Sequence, residues 1–474
     1  MDMEFTVKRF LSIAIACIVI ITAYAAFSVS CADASTMPEY IRIGLKYGSS
    51  SAGEYEMTFD GGVRLGMGSN EGFTELTAFP DVNRVLIRLE SGNIQLIGTK
   101  NSGETVILNE GQTNANCLMP YDNDGLVGFG SSQYRGGILF NSTSGKLTII
   151  NLLPVEEYLY GVINAELSKS YPEEALKAQA VAARSYAVCN LGNHKSYGFD
   201  LCATTHCQVY KGYTDEYPET VHAVDATRGE TIQYNGETVN AFFYKNSGGY
   251  TQDSQDVWGG NVGYLKAVKD EYSPAYSWSQ SFTFAELSSK LASAGYNVGN
   301  VTTVSITKRN QSGAVETLQF TGTGGTAVLQ KDKIRSVLGS SLIKSTMFSM
   351  GEAETVQPSE DKTSTAYGFS KGINRAAELP ETIYAVNKNG AASPIAVKDV
   401  YVHNGKTTKL QQQASGGSQI SNTLESVSGG NVTFTGLGYG HGVGMPQDSA
   451  VEMAKKGFTY EDILKYYYTD ISIH

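Results

Sequence analysis

The chain has 474 residues, a formal net charge of −11, only 18% charged residues, and many Gly (51) and Tyr (29). That length allows two or three domains with sizeable cores, and the composition favours β-rich, loop-rich structure over helical bundles. The acidic balance argues against nucleic acid as a partner and against broad electrostatic adhesion to anionic polymers, so an anionic substrate has to be held in a local groove.

Residues 1–34 read as an export signal or membrane anchor. Lys8 and Arg9 precede an uncharged run from Phe10 to Phe27, and Ala32-Asp33-Ala34 has the form that a signal peptidase cuts after. The apolar run is also close to the ~20 residues that span a bilayer, so retention as an anchor is the alternative to cleavage. Cys31 follows Phe27-Ser-Val-Ser30, a poor lipoprotein signal. Either outcome leaves the rest of the chain outside the cytoplasm. Beyond Cys17 and Cys31 only Cys117, Cys189, Cys202 and Cys207 remain, too few for a disulfide framework.

Residues 35–134 form a β-rich N-terminal region. Strands are expected at 40–45, 84–89 and 94–97, followed by 137–140 and 146–150. The texture changes at Pro154. A short helix is expected over 155–162, and a long one runs from Pro172 to Gly192, with Ser170 and Glu173 as a capping box. Its many alanines let neighbours approach closely, as in a buried central helix. Strands return at 238–244 and 301–306, with helices at 284–294 and 330–338. Residues 351–431 read as a linker and insertion: polar at first, strand-like over 384–401, then rich in Ser, Gly and Gln. Order resumes at Thr433, and two short helices near 447–456 and 460–468 close the chain, separated by Gly457. The fold class is α+β, with strands around the buried central helix.

Five carboxylates fall within a short stretch. Glu156 and Glu157 suit an exposed helix, and Glu173 and Glu174 suit an acidic first turn. Glu166 differs, because it ends the apolar segment that begins at Val162, where desolvation raises a carboxyl pKa as a general acid requires. Cys202, His206 and Cys207 offer metal-ligand chemistry; a Cys202–Cys207 disulfide and a Cys-His nucleophile pair are the alternatives. In Asn246-Ser-Gly-Gly-Tyr-Thr251, small residues would let backbone approach a ligand. Between Gly436 and Gln447 five glycines surround His441 without the Lys-Ser/Thr ending of a phosphate loop.

Taken in order, these segments resemble the stage II sporulation protein D (SpoIID/LytB) family. The resemblance is carried by Leu153–Val162, Glu166, the Glu-Ala-Leu-Lys-Ala-Gln-Ala-Val-Ala-Ala-Arg run ending at Arg184, Cys207-Gln-Val-Tyr210, Ser247–Thr251, Val257-Trp258 and Gly440–Met445. Pro446 and Ser449 depart from the usual Ser after Met and Gly before Ala. The resemblance implies a catalytic core in 135–350 and 432–474, with the Gly-rich C-terminal motif returning to the active-site groove. It implies a lytic transglycosylase that cuts peptidoglycan glycan strands between N-acetylmuramic acid and N-acetylglucosamine, leaving 1,6-anhydro ends, in sporulation or wall remodelling. Glu166 falls at its acid/base and Arg184 at the Arg of its central helix. Gln179, Ser247, Gly248 and His441 are expected toward substrate, with Lys269 a second candidate cation. Zinc is the implied ion, held by Cys202, His206 and Cys207, with a more distant residue such as His194 or water completing it. Some members resemble activators of wall amidases instead, which makes other cell-wall hydrolases candidate partners.

Overall fold

The computed structural model describes residues 37–351 except 113 and 215, four strands at Thr382–Val386, Ala392–Ala396, Tyr401–His403 and Thr407–Lys409, and residues 424–474. The export segment and most of the insertion lie outside the described residues. The fold is mixed α+β, with several small sheets and eight helices among the described residues. No helix there is long and apolar enough to cross a membrane.

The N-terminal strands build two sheets. A seven-stranded sheet runs in the order Leu201–Cys202, Tyr40–Lys46, Lys146–Pro154, Gly137–Thr143, Cys117–Pro120, Val63–Ser69, Gly72–Phe79. A six-stranded sheet centred on Glu54–Phe59 and Val82–Glu90 packs against it over Met57, Val85, Ile87, Leu118, Ile138 and Ile149. Because Tyr40–Lys46 pairs with Lys146–Pro154, the first sheet runs across residue 134, where the sequence suggested a boundary.

The chain leaves that sheet directly into helix α1 (Val155–Glu166), one turn longer than the apolar pattern predicts, so Glu166 sits on its last turn. Helix α2 (Glu173–Cys189) starts at Pro172 without a side-chain cap, and Ser170 bonds Ser168 rather than the helix. Two apolar stripes explain its position. Leu176, Ala180, Ala183 and Ala187, at intervals of four, three and four, face a core shared with α1 and with helix α3 (Pro218–Ala226). Ala178, Val181 and Ala182 face a second core, filled from the C-terminus by Met453, Ile463, Leu464 and Tyr467.

Those C-terminal residues belong to two further helices, Gln447–Lys455 and Tyr460–Tyr467, the second begun by a Thr459/Asp462 capping box. Between the halves lies a unit with its own core of Trp278, Phe282, Phe320, Phe348 and Phe434. It combines the sheet Ser277–Thr283, Asn431–Leu437, Phe348–Gly351 with a four-stranded sheet and helices at Phe284–Ser293 and Lys333–Leu338. The 238–244 strand forms only at its ends, Glu237–Thr238 and Phe243–Tyr244, because the latter's partner, Met445–Pro446, is two residues long.

Candidate functional site

A cleft of about 480 Å³ opens where α1 ends, between residues 205–209, residues 242–245 with Trp258, and the returning loop 439–447. Glu166 is the only carboxylate that lines it among the described residues. Burial raises the Glu166 pKa, against the lowering effect of a hydrogen bond from Gln447 and one from the Val209 backbone. The Gln447 Nε2 stands 3.0 Å from Glu166 Oε2. A place on the last turn of α1 adds to the burial effect, since the negative end of the helix dipole disfavours a carboxylate there.

The Gly-rich loop reaches the cleft as a piece of backbone threaded past Phe242–Tyr244. Gly444 has φ +79, and a side chain there would collide with the Phe242 carbonyl. His441 lines the cleft, yet both its nitrogens are engaged. Nδ1 accepts from the Val443 N–H at 3.1 Å, so Nε2 carries the proton and donates to the Phe243 carbonyl at 3.2 Å. Burial, then the nearby Arg335, pushes its pKa down to about 4, so the ring is neutral. It packs against Tyr244 and Trp258 and fixes the loop.

Several expected site residues lie elsewhere. Arg184 does not line the cleft: it is fully buried and forked onto Glu156 at 3.0 and 2.7 Å, with its remaining donors on the Glu230 and Val224 carbonyls. Glu156 is accordingly buried rather than exposed. Gln179 is buried in α2 with no hydrogen-bond partner for its amide. Ser247 donates to Asp270, which also accepts from Ser449 and Tyr467 and so ties this loop to the C-terminal helices. Gly248, at φ +69, packs on the backbone of Leu437 and Gly438. Lys269 is exposed and paired with Glu271. Conversely, Lys245, Gln447, Trp258, Tyr186 and Tyr439 line the cleft and are not among the site residues expected from the sequence. Gln447 was legible as the residue ending the Gly-His segment. Lys245 sits one position before Asn246-Ser-Gly-Gly and pairs with Asp448 at 3.1 Å.

The cysteine cluster forms part of the cleft wall, through His206 and Cys207. Cys202 and Cys207 are free thiols, not a disulfide. His194, Cys202, His206 and Cys207 each offer one donor atom, all within 4.8 Å of one another. Cys207 Sγ is 3.4 Å from both His194 Nε2 and His206 Nδ1, and Cys202 Sγ is 3.8 Å from His206 Nδ1. A tetrahedron with the usual zinc–sulfur and zinc–nitrogen bond lengths has S–N edges of about 3.5 Å, so the donor set fits that ion in kind and in spacing. Burial alone would raise the Cys202 thiol, but hydrogen bonds from Thr204, Cys207 and His206 outweigh it and bring it down to about 7. Burial and the facing Cys202 push Cys207 up to about 12. A cation among them would draw off the second proton as well.

Comparisons with known proteins follow the same lines. Residues 143–234 match the family described as Stage II sporulation protein (SpoIID), a span that holds Glu166 and the cysteine cluster. Residues 254–372 match a domain of unknown function, DUF8618, which includes most of the unit with its own core. The chain is 29% identical to the Amidase enhancer of Bacillus subtilis (strain 168) over 65% of its own length, and that alignment spans only 39% of the relative. It is 28% identical to the Stage II sporulation protein D of the same organism, over 68% of this chain and 74% of the relative. A Bacillus amyloliquefaciens protein of the same name is 26% identical over the same shares. On these matches, and on the ordered motifs that carry them, residues 143–234 form a domain of the SpoIID family.

Proposed function

We propose that the chain is a peptidoglycan lytic transglycosylase, cutting between N-acetylmuramic acid and N-acetylglucosamine and leaving 1,6-anhydro ends. The observation that carries this reading is that Glu166 is the single carboxylate in the cleft among the described residues. A glycoside hydrolase of the common kinds needs a second one, to activate water or to form a covalent intermediate. A lytic cleavage does not. Glu166, whose raised pKa favours the protonated form, gives its proton to the glycosidic oxygen as the C1–O bond breaks. Its carboxylate then takes the proton of the muramic 6-hydroxyl, whose oxygen closes onto C1. The proton returns to Glu166 and no water is consumed. Gln447 supports the carboxylate between the two transfers. Phe242, Tyr244 and Trp258 give the cleft apolar faces suited to sugar rings. The export signal read in residues 1–34 supports action outside the cytoplasm, and the relatives' names support sporulation or wall remodelling as its setting.

One observation favours a second reading, a non-enzymatic activator of a wall amidase: a relative bears the name Amidase enhancer. Purified protein incubated with sacculi separates the two. The transglycosylase reading expects anhydro-ended fragments, identified by mass spectrometry, from this protein alone. An activator releases none, speeds an added amidase, and is indifferent to Glu166→Gln.

Within the same proposal, His194, Cys202, His206 and Cys207 hold zinc. With four protein donors such an ion leaves no open position and acts as a structural cross-link. The chain's own residues tie the turn after α2 to the 201–207 segment that walls the cleft. Protein purified without added metal is expected to carry about one equivalent of zinc, and His194→Ala and Cys202→Ser to lose most of it on dialysis. Zinc-free wild-type protein with no titratable thiol at Cys202 or Cys207 would end this part of the proposal.

A further inference from the structure

We infer that the cleft continues past Tyr439 onto the unit matched by DUF8618, where Tyr276, Tyr439 and the ammonium of Lys344 form an accessory subsite for a sugar that carries a carboxylate. This rests on reading the cleft as a peptidoglycan site, and it gives the second unit a part in holding the strand. Tyr439 is shared, since it lines the cleft and its ring lies 5.9 Å from that of Tyr276, at 37°. Lys344 Nζ donates to the Tyr276 hydroxyl at 3.2 Å and stands 5.6 Å from the centre of the Tyr439 ring. All three residues are half-buried.

Two features of this arrangement bear on a ligand, although Lys169, Lys290 and Lys456 also lie over aromatic rings without an ion pair among the described residues. The first is charge. In an acidic chain, Lys245, Lys269, Lys308, Lys455 and Lys465 each hold a carboxylate within 3.1 Å or less. Lys344 has no acidic partner among the described residues, so its positive charge remains available beside two rings. The second is rigidity. The Gly440 N–H donates to the Lys344 carbonyl at 2.9 Å, and the Gly438 N–H to the Tyr276 carbonyl at 2.8 Å, so the cleft loop and the second unit hold each other in place. Two aromatic rings with a fixed cation over them suit a pyranose bearing an anion: the sugar packs on the exposed aromatic surface and the carboxylate pairs with the ammonium. Along a peptidoglycan strand that carboxylate comes from the lactyl group of muramic acid or from an attached peptide.

The test is binding in the Glu166→Gln background, which prevents turnover. Full-length protein is titrated with peptidoglycan fragments of two and of six sugars, with and without peptide, and with a neutral six-sugar N-acetylglucosamine oligomer. The six-sugar carboxylated fragment is expected to bind about tenfold tighter than the two-sugar one, the gain of one charge-assisted contact. Lys344→Met is expected to erase that gain while leaving the two-sugar and neutral ligands unchanged, and Lys344→Arg to keep it. The arm showing the larger loss, peptide-free or peptide-bearing, identifies the carboxylate. Equal affinity of Lys344→Met and its parent for the six-sugar carboxylated fragments, or no length dependence in the parent, overturns the subsite. Failure of the transglycosylase reading looks different: no anhydro ends from the wild-type protein, with the Lys344-dependent gain intact.

Discussion

Glu166→Gln is expected to abolish release of anhydro-ended fragments and to leave the protein folded. General acid–base catalysis contributes roughly 10²–10⁴-fold, and since one carboxyl serves both proton transfers in the proposed mechanism, the loss should fall at the upper end of that range. Stability should move the other way. The folded-state pKa of Glu166 is raised by burial, so between its unfolded value and that raised value the native state holds more protons than the unfolded one. Stability therefore falls as pH rises through this window. Glutamine carries no charge to desolvate, so the variant should melt at or above the wild-type temperature near pH 7, and the difference should vanish toward pH 4. The same titration sets the activity profile. Wild-type cleavage should decline on the alkaline side, as pH passes through the raised pKa and the acid form is lost. A variant cleaving at the wild-type rate would remove Glu166 from the mechanism.

Arg184→Met is expected to have the largest effect on stability. It strips the buried Glu156 of its forked partner and leaves that carboxylate with only the Gly229 N–H at 3.0 Å. Removing one member of a buried ion pair costs about 3–5 kcal/mol, a large share of the marginal stability of a domain. Methionine keeps most of the side-chain length, so the loss reflects the charge more than a cavity. Adding Glu156→Gln removes the stranded charge and should recover part of the loss, a coupling that urea denaturation of both singles and the double measures directly. A single variant that unfolds at the wild-type urea midpoint would show that the pair contributes nothing.

Much of the scaffold was legible because it is written locally. Alternation marks the strands at 40–45 and 84–89, and the alanine spacing of 173–189 gives a helix thin enough to lie between two cores. Glu166 stood out because an acid closing an apolar run is costly unless something uses it. Arg184 was misplaced because helical spacing does not say whether a cation meets an open groove or the carboxylate of the preceding helix. Ser170 has the capping-box pattern, yet Pro172 already sets the backbone for the first turn. Gln447 and Lys245 could not be placed beside Glu166 from spacing: Gln447 is 281 positions away in the chain, and the contact is made by tertiary packing. His194, named from the sequence as a candidate further ligand, does join the cysteine cluster, since the chain folds back between Asn190 and Phe199 and brings its ring onto Phe199.

The return of the loop 439–447 also has a consequence for the order in which the protein is made. Glu166, the cysteine cluster and Lys245 all emerge from the ribosome long before Tyr439, His441 and Gln447, with the 352–423 segment in between. Until those last residues arrive, Glu166 has no Gln447 beside it, Lys245 no Asp448, and Asp270 neither Ser449 nor Tyr467. A chain broken off anywhere in the insertion therefore carries Glu166 but not the far wall of the cleft. Completion of synthesis is in this sense a condition for having the cleft at all.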